Sequence, residues 1–168
     1  MKCLLPPLNK GIPEENHKQY TLVLDLDETL VHFDGRRGNY RARPHAKTFV
    51  KEMAKYYEVV IFTAGLKDYA DWVLNDFDKG RDITHRLYRG SCRLRKGFHV
   101  KDLSRLGRDL SKTIIVDNLA ENFELQVDNG IHIISWFGSP RDCELMKLEP
   151  ILRSFVENQV PDLRTMIK

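Results

Sequence analysis

Two aspartates one residue apart, Asp25 and Asp27, close an apolar run and are followed by Thr29. The run, Tyr20 to Leu24, lacks glycine and proline and carries β-branched residues, which predicts a buried strand. Carboxylates are costly to bury without a partner or a cation. The pair therefore belongs at the strand's carboxyl end, where open α/β sheets bind ligands. Alternation along an extended backbone puts both acids on one side. Such a pair suits phosphoryl transfer: one carboxylate attacks phosphorus, the other moves protons, and a hard cation holds oxygens and phosphate together. Two later apolar runs also end in polar groups, residues 58–62 at Thr63-Ala64-Gly65 and residues 112–116 at Asp117-Asn118. In a doubly wound sheet these ends converge on one edge and can share a pocket.

The elements that must position these groups read as alternating strands and helices. Residues 1–18, with Pro6-Pro7 and Gly11-Ile12-Pro13, form an extended lead-in, although Leu4, Leu5 and Leu8 can lie on the body of the domain. After the first strand, residues 33–40 read as a turn-rich loop. Residues 45–57 carry Phe49, Val50, Met53, Ala54 and Tyr57 at helical spacing, and residues 66–77 carry Leu66, Tyr69, Ala70, Val73, Leu74 and Phe77. Trp72 reads as core. Residues 86–89 and 97–100 read as short antiparallel strands, with Lys101 directly after them. Residues 121–125 predict a short helix and residues 130–136 another apolar strand. Pro140 then opens a last helix burying Leu145, Leu148, Ile151, Leu152 and Phe155, before a polar tail over 158–168. This alternation predicts an α/β, Rossmann-like fold: a mainly parallel sheet with helices on both faces and a small antiparallel insert. The domain proper spans 19–157.

At 168 residues, 42% hydrophobic and 30% charged, the chain has the make-up of one globular domain with one core. The formal charge of +3 is too mild for a dedicated nucleic-acid binder. Clusters at Arg36-Arg37, Arg41, Arg43 and across 86–96 read as solvated faces, or as attraction for an anionic, phosphorylated partner. Three cysteines without metal spacing indicate a reducing compartment. With no secretory leader and no apolar run long enough to span a bilayer, the expectation is an intracellular protein, nuclear or cytoplasmic. His32, His45, His85, His99 and His132 lack metal-ligand spacing and read as structural. The oligomeric state is left open.

Asp25-Leu26-Asp27-Glu28-Thr29-Leu30-Val31-His32 matches the DxDxT signature of the haloacid dehalogenase superfamily, in the form found in FCP/SCP-type (NLI-interacting-factor-like) phosphatases. Phe62-Thr63-Ala64-Gly65 and the long block Val100-Lys101-Asp102-Leu103-Ser104-Arg105-Leu106-Gly107-Arg108-Asp109-Leu110 resemble the same family, in its order. The resemblance implies that Asp25 is the nucleophile, forming an aspartyl-phosphate, and Asp27 the general acid and then base. It implies a Mg²⁺ held by the Asp25 carboxylate, the Asp27 main-chain carbonyl and the Asn118 side chain, with Asp117 adjacent. It further implies that Lys101 adds positive charge and that Thr63 and the backbone N–H groups of Leu26, Ala64 and Gly65 cradle the phosphoryl oxygens. The cation is needed: two unit charges of like sign near 4 Å repel by roughly 4 kcal/mol at an effective dielectric of about 20.

The expected substrate is a phosphoserine or phosphothreonine protein, with the RNA polymerase II tail as one candidate. Against that candidate, the 32–43 connection is short and polar, where family members with an apolar proline pocket have a long hairpin. Leu119-Ala120 and Gly65 also depart from the common residues of the family without removing a ligand. Two alternatives stand beside the phosphoprotein reading. One is a catalytically silent interaction module resembling the import-receptor branch of the same fold; the other is a phosphatase of small metabolites, which the lack of a large cap segment disfavours.

Overall fold

The computed structural model describes residues 3–167. Its centre is β1 (Tyr20–Leu24), every residue of which is buried. The chain then forms a hairpin of β2 (Val31–Asp34) and β3 (Asn39–Ala42), followed by α1 (Ala46–Tyr56) and β4 (Tyr57–Phe62). After α2 (Lys67–Phe77) and β5 (His85–Leu87) comes a second hairpin, β6 (Arg93–Arg95) with β7 (Phe98–Val100). It ends with β8 (Thr113–Asp117), β9 (Gly130–His132) and α3 (Glu144–Glu157). Five strands make one parallel sheet in the order β5-β4-β1-β8-β9. The chain first builds outward from β1 on one side and then crosses to β8 on the other. The reversal leaves a crevice at the carboxyl end of β1, where such sheets bind ligands.

Alternation along the strands divides the core in two. Leu22, Leu24, Val59, Ile61, Ile114 and Val116 face α1, α2 and α3, whose buried residues recur at helical spacing: Phe49, Val50 and Met53; Ala70, Val73, Leu74 and Phe77; Leu145, Leu148, Leu152 and Phe155. Val23, Val60, Phe62 and Ile115 face the other way. They are covered by Leu87, by the 3₁₀ segments at Leu103–Arg105 and Ala120–Asn129, and by Leu5 of the lead-in. Helices thus lie on both faces, α on one and 3₁₀ on the other.

Several expectations need correction. Residues 33–40 are not only a loop: Phe33 pairs with Tyr40 and His32 with Arg41 in the first hairpin. Its polar composition hid strands that gain their packing from α2. Residues 85–87 do not form an antiparallel pair with 98–100 but join the main sheet parallel to β4, because Leu87 fills the apolar layer beneath the sheet edge. The partner of β7 is β6, across a turn whose Lys96 and Gly97 both have positive φ. The strand at 130 stops at His132, and the last helix begins at Glu144 rather than at Pro140. Leu66, Trp72 and Ile151 are exposed. In the stretch read as a polar tail, Val160 and Leu163 are buried in the α-helical core. No helix among the described residues is long and apolar enough to cross a membrane.

Candidate active site

Asp25 continues β1 by one step, its N–H donating to Val116 O at 3.0 Å, which aims the side chain into the crevice. Its Oδ1 accepts from Lys101 Nζ at 2.6 Å and its Oδ2 from Thr29 Oγ1 at 2.9 Å. Lys101 follows β7 and is wholly buried; its main-chain N–H donates to Asn122 O at 2.6 Å. The ammonium also reaches Asp117 Oδ2 at 2.5 Å, while Asn122 Nδ2 and Leu119 N donate to the same carboxylate. Burial alone would lower the Lys101 pKa, but Asp25 and Asp117 outweigh it and the net shift is upward. The Asp117 carboxyl is also pushed up, first by burial and then by the charge of Asp25, against the pull of Lys101. The two directions are compatible: one ammonium keeps its proton while two acids compete for it in a dry site.

Beyond Asp25 the chain reverses tightly. Glu28 adopts φ +63°, Leu30 N and Val31 N both donate to Leu26 O, and the Glu28 carboxylate pairs with His32 Nδ1 at 2.7 Å. Asp27 is half-buried and accepts from Tyr69 Oη at 2.5 Å. Burial raises its pKa; the Tyr69 hydrogen bond opposes this, and the negative charges of Asp25 and Glu28 add to it. Thr63 stands at the end of β4, its N–H donating to Leu87 O at 2.9 Å and its Oγ1 accepting from Gly65 N at 2.9 Å. A Cβ on Gly65 would lie 3.1 Å from Thr63 Oγ1 and 3.5 Å from Asp27 Oδ2. The tip of β4 and the acid loop are therefore only a side chain apart. At the tip of β8, Asn118 donates Nδ2 to Ser135 Oγ at 2.9 Å, leaving Oδ1 3.5 Å from Thr29 Oγ1.

Asp25, Asp27, Thr63, Ala64 and Asn118 line one open cleft of about 260 Å³, with Arg89 at its edge. Lys101 and Asp117 lie beneath it, both fully buried. All seven sequence-predicted residues thus belong to one place, five at the surface and two under it. Sequence reasoning assigned no part in the site to Asn122 or Ser135; Tyr69 was read only as part of the apolar face of its helix, and Arg89 only as one of the basic residues across 86–96 that could attract an anionic partner. A second hollow of about 380 Å³ opens from the cleft between Asp27, Phe33, Leu66, Tyr69 and Arg89. A larger one of about 480 Å³, beside Lys47, Phe77 and Lys79, contains none of the strand-tip groups and has no part in this chemistry.

The donor set suits a hard cation. Asp25 and Asn118 offer oxygens that one threonine hydroxyl can approach together, and Asn118 Oδ1 has only that long contact. No group of three or more His, Cys, Asp or Glu side chains among the described residues is arranged to hold a metal. A site here must therefore draw on amide and main-chain oxygens, as Mg²⁺ tolerates and zinc does not. Both Asp117 oxygens already accept protein hydrogen bonds, so Asp117 anchors Lys101 and the 119–122 turn.

Fold and strand-tip acids together define a Rossmann-like protein of the haloacid dehalogenase class. Residues 20–164 match the family model described as NLI interacting factor-like phosphatase. The chain is 44% identical over 163 residues to CTD small phosphatase-like protein 3 of Caenorhabditis elegans, covering 86% of this chain and 55% of that protein. It is 38% identical over 169 residues to the mitochondrial import inner membrane translocase subunit tim50 of Emericella nidulans, covering 97% of this chain and 32% of that one. The solved structure of Fcp1, titled an essential RNA polymerase II CTD phosphatase, superposes with a TM-score of 0.74 at 18% identity, over 94% of this chain and 71% of that one. The chain belongs to the FCP/SCP-type, NLI interacting factor-like phosphatase family. It spans between a third and just over half of these curated relatives.

Proposed function

We propose that this chain is a Mg²⁺-dependent phosphatase that removes phosphate from serine or threonine in proteins through an aspartyl-phosphate on Asp25. The observation that carries this reading is the Asp25 carboxylate, held by Lys101 and Thr29 at the mouth of a cleft shared with Asp27, Thr63 and Asn118. An Asp25 oxygen attacks phosphorus, and the bond from phosphorus to the serine or threonine oxygen breaks. Asp27, whose pKa is raised, gives its proton to the departing alkoxide. Water then attacks the acyl phosphate, Asp27 takes up its proton, and inorganic phosphate leaves with the Asp25 carboxylate restored. Thr63, Ala64 and Gly65 line the cleft where the phosphoryl oxygens would lie. Mg²⁺, held by Asp25, the Asp27 main-chain oxygen and Asn118, supplies charge neutralisation when bound.

The openness of the cleft and its adjoining aromatic hollow favour an extended phosphopeptide over a small metabolite. Phe33 and Tyr69 line the hollow, and Tyr40 and Trp72 pack onto them, with ring centroids 5.8–6.4 Å apart in these contacts. The short hairpin therefore offers more apolar surface than its composition suggests, which keeps a polymerase-tail peptide among the substrates to be tried. Retention of the acids, Lys101 and Asn118 favours catalysis over a silent module, despite the similarity to the translocase subunit.

The test is turnover of phosphopeptides and phosphometabolites with Mg²⁺, alongside capture of radiolabelled phosphate on the protein. Asp25→Asn is expected to abolish both hydrolysis and capture, while Asp27→Asn retains Mg²⁺ binding. Undiminished turnover by Asp25→Asn contradicts the mechanism.

A further inference from the structure

The loop that carries the acids is held through its carbonyls. Glu28 O accepts from Trp136 N at 2.8 Å, Leu30 O from Arg43 N at 2.9 Å, and Thr29 O from Arg43 Nη1 at 3.2 Å. The Arg43 side chain is entirely buried, and its guanidinium serves two more segments. Nη2 donates to Ile134 O at 2.9 Å, while Nε and Nη2 form a fork to the Asp142 carboxylate, each at 2.7 Å. Ile134 precedes Ser135, whose Oγ takes the Asn118 amide N–H at 2.9 Å. That bond fixes the Asn118 side chain at the tip of β8 and leaves its Oδ1 3.5 Å from Thr29 Oγ1. Thr29, gripped through its carbonyl by the same guanidinium, gives its hydroxyl to Asp25 Oδ2. One buried fork therefore joins the segment that aims Asp25 to the segment that aims Asn118.

We propose that Arg43 and Ser135 are positioning residues that set the spacing and orientation of the two side-chain oxygen donors, Asp25 and Asn118, to which the divalent cation binds. The inference rests on the phosphatase reading above and deepens it. Mg²⁺ demands near-ideal octahedral geometry, so small displacements of its ligands weaken binding. Partners that orient ligands commonly change metal affinity by about 10- to 100-fold when removed. Arginine is required because its planar fork serves three segments at once, whereas a lysine offers one point charge on a flexible stem.

The experiment is a Mg²⁺ titration of the full chain by calorimetry, without substrate, followed by kcat and KM for p-nitrophenyl phosphate at saturating Mg²⁺. Ser135→Ala removes one hydroxyl from a partly exposed site and leaves the fold alone; it is expected to weaken Mg²⁺ binding about 10-fold or more. At saturating Mg²⁺ its substrate KM should stay close to wild type, since the lost interaction lies on the cation's side of the cleft. Ser135→Thr keeps the hydroxyl and should restore affinity. Arg43→Lys, measured below its own unfolding transition, should weaken Mg²⁺ binding in the same direction. Wild-type Mg²⁺ affinity in Ser135→Ala overturns the inference and leaves the phosphatase reading standing. A wild-type chain that binds no Mg²⁺ removes both together.

Discussion

The two sides of the cleft are built on opposite plans. On the β8 side, Asp25 and Asp117 share one ammonium that is wholly buried, and Asn122 and Thr29 supply further hydrogen bonds from within the protein. On the α2 side, Asp27 has one side-chain hydrogen-bond partner among the described residues, Tyr69, and beyond it lies an aromatic surface on which Phe33 and Trp72 are exposed. On the β8 side the hydrogen bonds from Lys101 and Thr29 fix the Asp25 carboxylate in place. A group that gives up and takes back a proton must instead face the substrate in an environment that does not strongly favour its charge. The same residue type therefore sits in two different surroundings, suited to the two roles proposed for Asp25 and Asp27, and each plan can be broken separately.

The largest effect is expected at Lys101. Replacing it by Met leaves two carboxylates facing each other in a buried site, and breaking a buried pair in this way typically costs about 3–5 kcal/mol. Chemical denaturation should show that loss, together with loss of turnover. Adding Asp117→Asn removes one of the two orphaned charges, so the double variant should recover part of the stability but none of the activity. Equal stability of Lys101→Met and wild type would mean that the ammonium is not what balances this side.

A buried ion pair at the far end of the sheet shows what such a pair does without a cleft. Glu58, at the start of β4, receives a fork from Arg108 at 2.6 and 2.7 Å and a hydrogen bond from Thr21 at 3.0 Å. Burial would raise its pKa, but Arg108, His85 and Thr21 prevail and bring it from 4.5 to about 2. A depressed carboxyl stabilises the fold above its unfolded pKa and loses that contribution as pH falls through the folded one. The shift corresponds to about 3 kcal/mol, present in full above about pH 5 and fading toward pH 2. Wild type should exceed Glu58→Gln in stability near neutrality, and the gap should close over that acid range. A gap independent of pH would assign the difference to packing.

How legible each side was in the sequence follows from the same contrast. Strand interiors and strand-tip acids were readable because an acid at the end of an apolar run has few places to go, while Lys101 was singled out only by its resemblance block. Asp25 and Asp117 are cases in point. The open side was harder. Phe33 and Tyr40 sit among Asp34, Gly35, Arg36, Arg37, Gly38 and Asn39, so local composition reads as loop, and their pairing depends on α2 rather than on their own neighbours. Trp72 lies on a helix whose apolar spacing is real, yet it falls on the rim of that stripe and stays exposed. Arg43 gave no local sign that it would be buried, because its carboxylate partner is 99 residues away.

A smaller effect is expected at Tyr69. Its hydroxyl is the side-chain donor to Asp27, and hydrogen bonds to charged groups are worth about 1.5–3 kcal/mol. Tyr69→Phe keeps the ring against Phe33 and Trp72 and removes only that bond. The expected result is a fall in kcat of about 10-fold or more, from loss of Asp27 alignment, with little change in stability because Asp27 is only half-buried. A change in KM alone would place Tyr69 with the substrate-facing aromatics instead.

Trp72 should give the smallest effect and the sharpest division between the two sides. The residue is 47% exposed and its ring meets Phe33, Tyr40 and Tyr69 edge-on or tilted, so it helps hold the aromatic surface. Aromatic contacts of this kind are worth about 0.5–1.5 kcal/mol, which corresponds to about two- to tenfold in an equilibrium constant. Trp72→Ala should raise KM for a phosphopeptide by that factor while leaving p-nitrophenyl phosphate unaffected, because the small substrate reaches only the cleft. If both substrates suffer equally, the aromatic surface acts on the acids rather than on the peptide, and the division between a fixed charged side and an open recognising side fails at its boundary.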